Sequence, residues 1–401
     1  MRKLPPALLS LMLASMLIVI ELSFRQPTGF WFVLAPLFAA GWWIVSVVLH
    51  EAGHGAMAQC LGWRVVRLEA GSMIPFGTQG RFLGWRWKLV PSEFGGCAYV
   101  FPKRIRGYRW QSFLVFLAGP LANLGLVWAG LAGLGLALDS APPAQLAACV
   151  LILTNLVLLV SSLRPTSVDL AGGEAFNDAA GMWHALTNRL GLPETAVLHG
   201  MGFEALARSE DGDVNGASRL ADELLDGAPP DTGRAEVLDW AATVFMRIGP
   251  VGRAITLARE VLAITPADAP NVRSFTNSLA YTLLVRGTEQ DVAEALDLAR
   301  HCSTAGPTSA AYTGTLGAAL VLAGHLTSGL ELLDQSSAGA PRPQDRAENE
   351  CWKALGYARA GRIADATRCS AHAERLDPRC FLLPQVRESL RGIPPAVVAG
   401  R

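Results

Sequence analysis

Charge is missing from four long stretches of this chain: Leu4 to Ile20, Gly29 to Leu49, Gln111 to Leu138 and Ser140 to Leu163. Each is near or above the ~17–25 apolar residues that cross a hydrocarbon core as a helix. A soluble helix would need a polar face, so their absence of charge argues against a water-soluble N-terminal part. No CxxC pair occurs among the seven cysteines (Cys60, Cys97, Cys149, Cys302, Cys351, Cys369, Cys380), and their number is odd. Neither a thiolate zinc site nor a disulfide framework is suggested, and reduced thiols suit a cytosol-facing domain. Net charge is absent as well: 34 Lys and Arg balance 34 Asp and Glu. Nothing global therefore points to nucleic acid.

What is present orients the stretches. Arg2 and Lys3 precede the first one, and Glu21-Leu22-Ser23-Phe24 follows it where a signal peptide would have a small-residue cleavage site. It is read as a retained span rather than a leader. Expected spans are about 4–24, 29–55, 111–138 and 143–163. Cationic residues cluster on the cytoplasmic side of membrane proteins. Arg2 and Lys3 place the N-terminus there, and so do Arg64, Arg67, Arg81, Arg86, Lys88, Lys103, Arg104, Arg106 and Arg109 after the second span. Arg164 does the same after the fourth, which puts the rest of the chain in the cytoplasm. Within the basic segment, Trp63 to Leu68 and Trp85 to Val90 alternate as strands do. A small sheet at the membrane surface is expected over about 62–105.

Chemistry concentrates in His50-Glu51-Ala52-Gly53-His54. Residues four apart share one helix face, so both imidazoles can grip one metal with Glu51 beside the open position. Zinc accepts nitrogen ligands tetrahedrally and keeps a site for water. The motif ends an otherwise uncharged membrane stretch, where ionisable groups are costly and mark function.

These residues resemble the site-2 protease family of intramembrane zinc metalloproteases. Gly119-Pro120-Leu121-Ala122-Asn123 is similar to that family's GPxxN motif, and Pro91 to Val100 resembles the membrane-surface strand that precedes it. The resemblance implies a third zinc ligand, an aspartate after the fourth span, usually followed by Gly. Here neither candidate precedes Gly, and Ser162-Leu163-Arg164-Pro165 stands where Asn-Leu-x-Pro is expected. Asp178 is favoured because it opens a plausible helix after Gly172-Gly173; Asp169 is the alternative. The implied assignment is Zn2+ on His50, His54 and Asp178, Glu51 as catalytic base, and Asn123, Gly119 and Pro120 as substrate-positioning residues. The implied substrates are membrane proteins or membrane-associated peptides.

The C-terminal half repeats a layout of helix, Gly, helix begun by a small residue, Pro. It occurs at Gly249/Ala254/Pro266, Gly287/Ala295/Pro307, Gly324/Gly329/Pro341 and Gly361/Ala366/Pro378, with the prolines 41, 34 and 37 apart. This resembles tetratricopeptide repeats, whose stacked pairs build a concave surface suited to a protein partner. The expected fold is mainly α: a polytopic membrane helix bundle with a small surface β-sheet, then a tetratricopeptide-like helical repeat domain. Domains are expected at 1–191 (membrane metalloprotease), 192–231 (connector), 232–380 (repeats) and 381–401 (tail). The expected function is intramembrane zinc endopeptidase activity in regulated intramembrane proteolysis, in a multi-pass protein of a bacterial plasma membrane. In the alternative, the chain is a membrane-anchored repeat scaffold with a vestigial metal site.

Overall fold

A run of apolar residues with a Gly two positions past its end sets the first helix. The computed structural model describes residues 35–71, 78–82, 84–90, 95–137, 142–170, 173–190, 193–229, 233–304, 309–340 and 343–391, with backbone alone at 35, 142, 167–170, 173–176 and 193. The expected span at 4–24 and residues 29–34 of the next lie outside the described residues. Helix α1 (Ala35–Cys60) carries the HExxH residues. It stops at Gly62, whose φ of 74° is left-handed. The Gly62 N–H bonds the Gln59 carbonyl and the Trp63 N–H bonds that of Ala58, the paired bonds of a Schellman ending. The chain turns directly into a sheet, so the sheet is anchored shortly past His54.

That sheet has four strands, β1 (Arg64–Gly71), β2 (Thr78–Phe82), β3 (Trp85–Val90) and β4 (Gly96–Phe101). Their spatial order is β2-β3-β1-β4. β1 runs parallel to β3 and antiparallel to β4. Among the described residues β4 is therefore an edge strand.

Two helices follow, α2 (Tyr108–Ala137) and α3 (Pro142–Leu163). Among the described residues, Tyr108–Ala137 and Pro143–Leu163 are long and apolar enough to cross a membrane. Small residues let these helices approach closely, as in membrane bundles. A Cβ on Gly53 would stand 2.7 Å from the Ala118 carbonyl oxygen of α2, and one on Gly130 would meet Ile152 of α3 at 2.6 Å. Trp63 Nε1 donates to Gln111 Oε1 at 2.8 Å, which ties the end of α1 to the start of α2. Asn155 Nδ2 donates to Ser46 Oγ at 2.9 Å, which ties α3 to α1 one turn before His50.

A hairpin, β5 (Ser167–Leu170) and β6 (Gly173–Phe176), then returns the chain to α4 (Asp178–Leu186). Both ends of α4 are fixed. Asn177 is its N-cap, accepting from the Ala180 N–H at 3.1 Å and the Thr166 N–H at 3.0 Å, while its Nδ2 donates to the Arg164 carbonyl at 2.6 Å. Arg109 donates to the Ala185 and Leu186 carbonyls at the other end.

The chain divides into two compact units at Gly200/Met201. The second is all helical: the end of α5 (Pro193–Glu210), then α6 (Val214–Asp226), α7 (Arg234–Ile248), α8 (Val251–Ile264), α9 (Val272–Arg286), α10 (Glu289–Thr304), α11 (Ala310–Leu322), α12 (Leu326–Gly339), α13 (Pro343–Arg359), α14 (Ile363–Leu376) and α15 (Leu383–Arg391). Gly249, Gly287, Gly324 and Gly361 all have positive φ between paired helices, and so does Gly212 between α5 and α6. Their spacings are 37, 38, 37 and 37, more regular than those of the prolines. The segment read as a connector thus contributes a helix pair with the same turn. Part of the expected tail is also ordered: α15 buries Leu383 and Val386, preceded by buried Leu382. The Arg247 guanidinium lies 5.2 Å from the Phe381 ring centroid, and Arg379 reaches Asp211 at 3.6 Å.

Candidate metal centre

His50 and His54 lie one turn apart on α1, and their Nε2 atoms are 3.2 Å apart. Asp178, the first residue of α4, places Oδ2 3.0 Å from His50 Nε2 and Oδ1 3.2 Å from His54 Nε2. The donor atoms of these three residues lie within 4.8 Å of one another. A tetrahedral zinc site with bonds of about 2.0–2.1 Å has ligand–ligand edges of about 3.3–3.4 Å. The two Nε2 atoms stand close to one such edge, and each lies 3.0–3.2 Å from a different oxygen of the Asp178 carboxylate, so the donor set suits zinc.

The surroundings fit as well. His54 Nδ1 donates to the Val115 carbonyl at 2.6 Å, which leaves Nε2 with its lone pair. Asn123, fully buried, places Nδ2 3.0 Å from His50 Nδ1. Between them on α2, a Cβ on Gly119 would collide with His54 Nε2 and stand 2.6 Å from His50 Nε2. Pro120 has no N–H to bond the Phe116 carbonyl, which loosens this turn of α2. Burial alone would raise the Asp178 carboxyl; the neighbouring His50 and His54 outweigh it and hold the group down at about 2.

Glu51 is buried and faces a cleft of about 340 Å³, lined also by His50, His54, Asp178 and the start of β4. Gly96 of β4 sits against its side chain, so close that a Cβ there would be 2.6 Å from Glu51 Cγ. The structure thus brings together His50, Glu51, His54 and Asp178. Asp169 lies in β5, paired with Glu174. Asn123 stands on the Nδ1 side of His50 and Gly119 beside both Nε2 atoms; neither they nor Pro120 are among the residues lining the cleft. Two contributors escaped sequence reasoning, the Val115 carbonyl and the Asn177 cap; Gly96 lies within the expected surface strand, but its contact with Glu51 was not foreseen. A backbone carbonyl carries no sequence signal, but Asn before a helix-opening Asp is a cap signature.

A model of peptidase family M50 matches residues 38–323, more than half of the chain. The chain belongs to peptidase family M50, the site-2 protease family. Members of this family are zinc metalloproteases and membrane proteins. Solved structures similar to the later part of the chain include a thermophilic tetratricopeptide-repeat protein of Thermus thermophilus, 20% identical, which covers 48% of this chain and 99% of its own with a TM-score of 0.37. Tetratricopeptide-like repeats from Podosopora anserina are 19% identical and cover 45% of this chain and 94% of theirs, with a TM-score of 0.32. No curated protein sequence matches the chain.

Proposed function

We propose that the chain is an intramembrane zinc metalloendopeptidase that cleaves membrane-associated protein substrates in regulated intramembrane proteolysis. One observation carries the reading: donor atoms of His50, His54 and Asp178 lie within 4.8 Å of one another, and Glu51, next to one of them, faces the same cleft. His50, His54 and Asp178 would hold the ion. When bound, zinc supplies Lewis acidity, which makes hydroxide available near neutral pH. Glu51 accepts the proton of the attacking water and passes it to the leaving amine as the C–N bond breaks. Its burial excludes bulk water from that transfer.

A substrate peptide bond must be extended to be cut, because a helix hides its carbonyl in hydrogen bonds. Strand addition to the edge of the sheet at the start of β4 would hold a segment extended, a general mode of peptide recognition. Gly96 brings this strand against Glu51, so a segment paired with β4 would pass beside the base. The proposed setting is a multi-pass protein of a bacterial plasma membrane with its N-terminus and repeats in the cytoplasm. The repeats would hold a substrate tail or an adaptor and raise its local concentration.

Glu51→Gln tests the chemistry. It keeps the size of the side chain and removes the base, so cleavage should fall by at least about 100-fold while zinc content stays at the wild-type level. Retained cleavage would sink the proposal.

A further inference from the structure

We infer that Asn123 is a positioning residue that fixes the tautomer of His50 by accepting, through Oδ1, a hydrogen bond from Nδ1–H. The inference rests on the zinc reading and assigns Asn123 a role other than contact with substrate.

Three observations lead there. First, Asn123 is fully buried, and its Oδ1 has no hydrogen-bond partner among the described residues. Burying an amide oxygen without a partner is costly, so such atoms are rare. Second, the amide nitrogen stands 3.0 Å from His50 Nδ1. If that nitrogen donates, Nδ1 is an acceptor and the ring proton sits on Nε2, the atom that faces His54 and Asp178. A protonated Nε2 has no lone pair for a metal. The oxygen and nitrogen of an amide are assigned from their surroundings rather than seen. A half-turn of the Asn123 amide about its last bond gives the orphan oxygen a donor, moves the proton to Nδ1 and frees Nε2.

Third, His54 already shows that arrangement. Its Nδ1 donates to the Val115 carbonyl. Val115, Gly119 and Asn123 are four residues apart on α2, so they lie along one stripe of that helix. The stripe reads acceptor, gap, acceptor. It faces the His50/His54 pair on α1, also four apart, with the missing Cβ of Gly119 leaving room for both rings. The half-turn makes the two histidines equivalent: each donates Nδ1–H to α2 and each presents Nε2 to the ion. Outer partners of this kind orient ligands and are worth about 10–100-fold in metal affinity.

The test compares zinc affinity of the full-length, detergent-purified chain by competition with a chelator, for wild type, Asn123→Asp and Asn123→Leu. A carboxylate accepts a hydrogen bond but cannot donate one. The inference expects Asn123→Asp to bind zinc within about threefold of wild type and Asn123→Leu to lose about 10–100-fold. If Asn123→Asp is as weak as Asn123→Leu, the amide does not act as an acceptor and the inference is overturned; it is equally overturned if Asn123→Leu binds as wild type does. Wild type that takes up no zinc would instead defeat the metalloprotease reading, and the inference with it. The zinc-free melting temperature of Asn123→Asp, a near-isosteric change, checks that folding is not the cause.

Discussion

Gly119→Ala places one methyl group where the structure leaves no room for it. The added Cβ would stand 2.6 Å from His50 Nε2 and closer still to His54 Nε2. Ordinary carbon contacts are at about 3.5 Å or more, so one or both imidazoles must retreat by roughly 1 Å. Metal–ligand bonds tolerate about 0.2 Å, so a displaced ring is a lost ligand. Zinc sites bind with apparent free energies of about 10–16 kcal/mol; shared among four ligands, one is worth about 2.5–4 kcal/mol. At about 1.4 kcal/mol per tenfold, zinc affinity should fall by about 60- to 700-fold. The fold should survive, because Ala is the better helix former by about 1 kcal/mol. Gly125→Ala is the control: it lies in the same helix with nothing within 4 Å of the added Cβ. Chelator competition gives the affinity and the melting temperature of the zinc-free protein reports the fold. A Gly119→Ala protein that binds zinc within about threefold of wild type would refute the close-approach reasoning.

Zinc content should also separate the two aspartates: Asp178→Asn is expected to lose the ion and Asp169→Asn to keep it, and the reverse would displace Asp178 from the site. In the repeats, burial raises the Asp239 carboxyl to about 6, against a weaker opposing bond from Ser278. Since this carboxyl is easier to protonate folded than unfolded, its contribution is fully present below about pH 4 and lost as pH rises through about 6, on the order of 2–3 kcal/mol. Urea unfolding of Asp239→Asn beside wild type at about pH 4 and pH 7 should show that slope only in wild type; parallel profiles would contradict it.

The parts of this molecule legible in the sequence are those set by local periodicity. HExxH puts two histidines on one face wherever it is helical, and uncharged stretches of the right length became α2 and α3. The four repeat glycines sit in left-handed turns that disfavour a Cβ. The choice between Asp169 and Asp178 was not local. It depends on a hairpin that spends 167–176 returning the chain, and on Asn177, which clamps the end of α3 to the start of α4. The partner of Asn123 was hidden for a similar reason: the motif marks a polar group at depth, while its distance to His50 depends on how closely α1 and α2 pack. The α5–α6 pair carries the same layout at Gly212/Ala217/Pro229, passed over in the sequence, and Gly212 keeps the 37-residue interval to Gly249.

Repeat arrays usually melt piecemeal, since each unit touches only its neighbours. This one has ties that skip neighbours. Arg247 of α7 pairs with Glu348 of α13, 101 residues on, and the same carboxylate accepts from the Tyr281 hydroxyl at 2.6 Å. The segment from Arg379 to α15 touches Asp211, Phe381 stacks with Arg247, and Cys380 lies 3.8 Å from Cys351 across buried sulfurs. Opening the α7–α8 or the α9–α10 pair would break contacts that distant partners also need. Those ties couple the opening of distant helix pairs, so the array should resist local fraying more than nearest-neighbour stacking alone would allow.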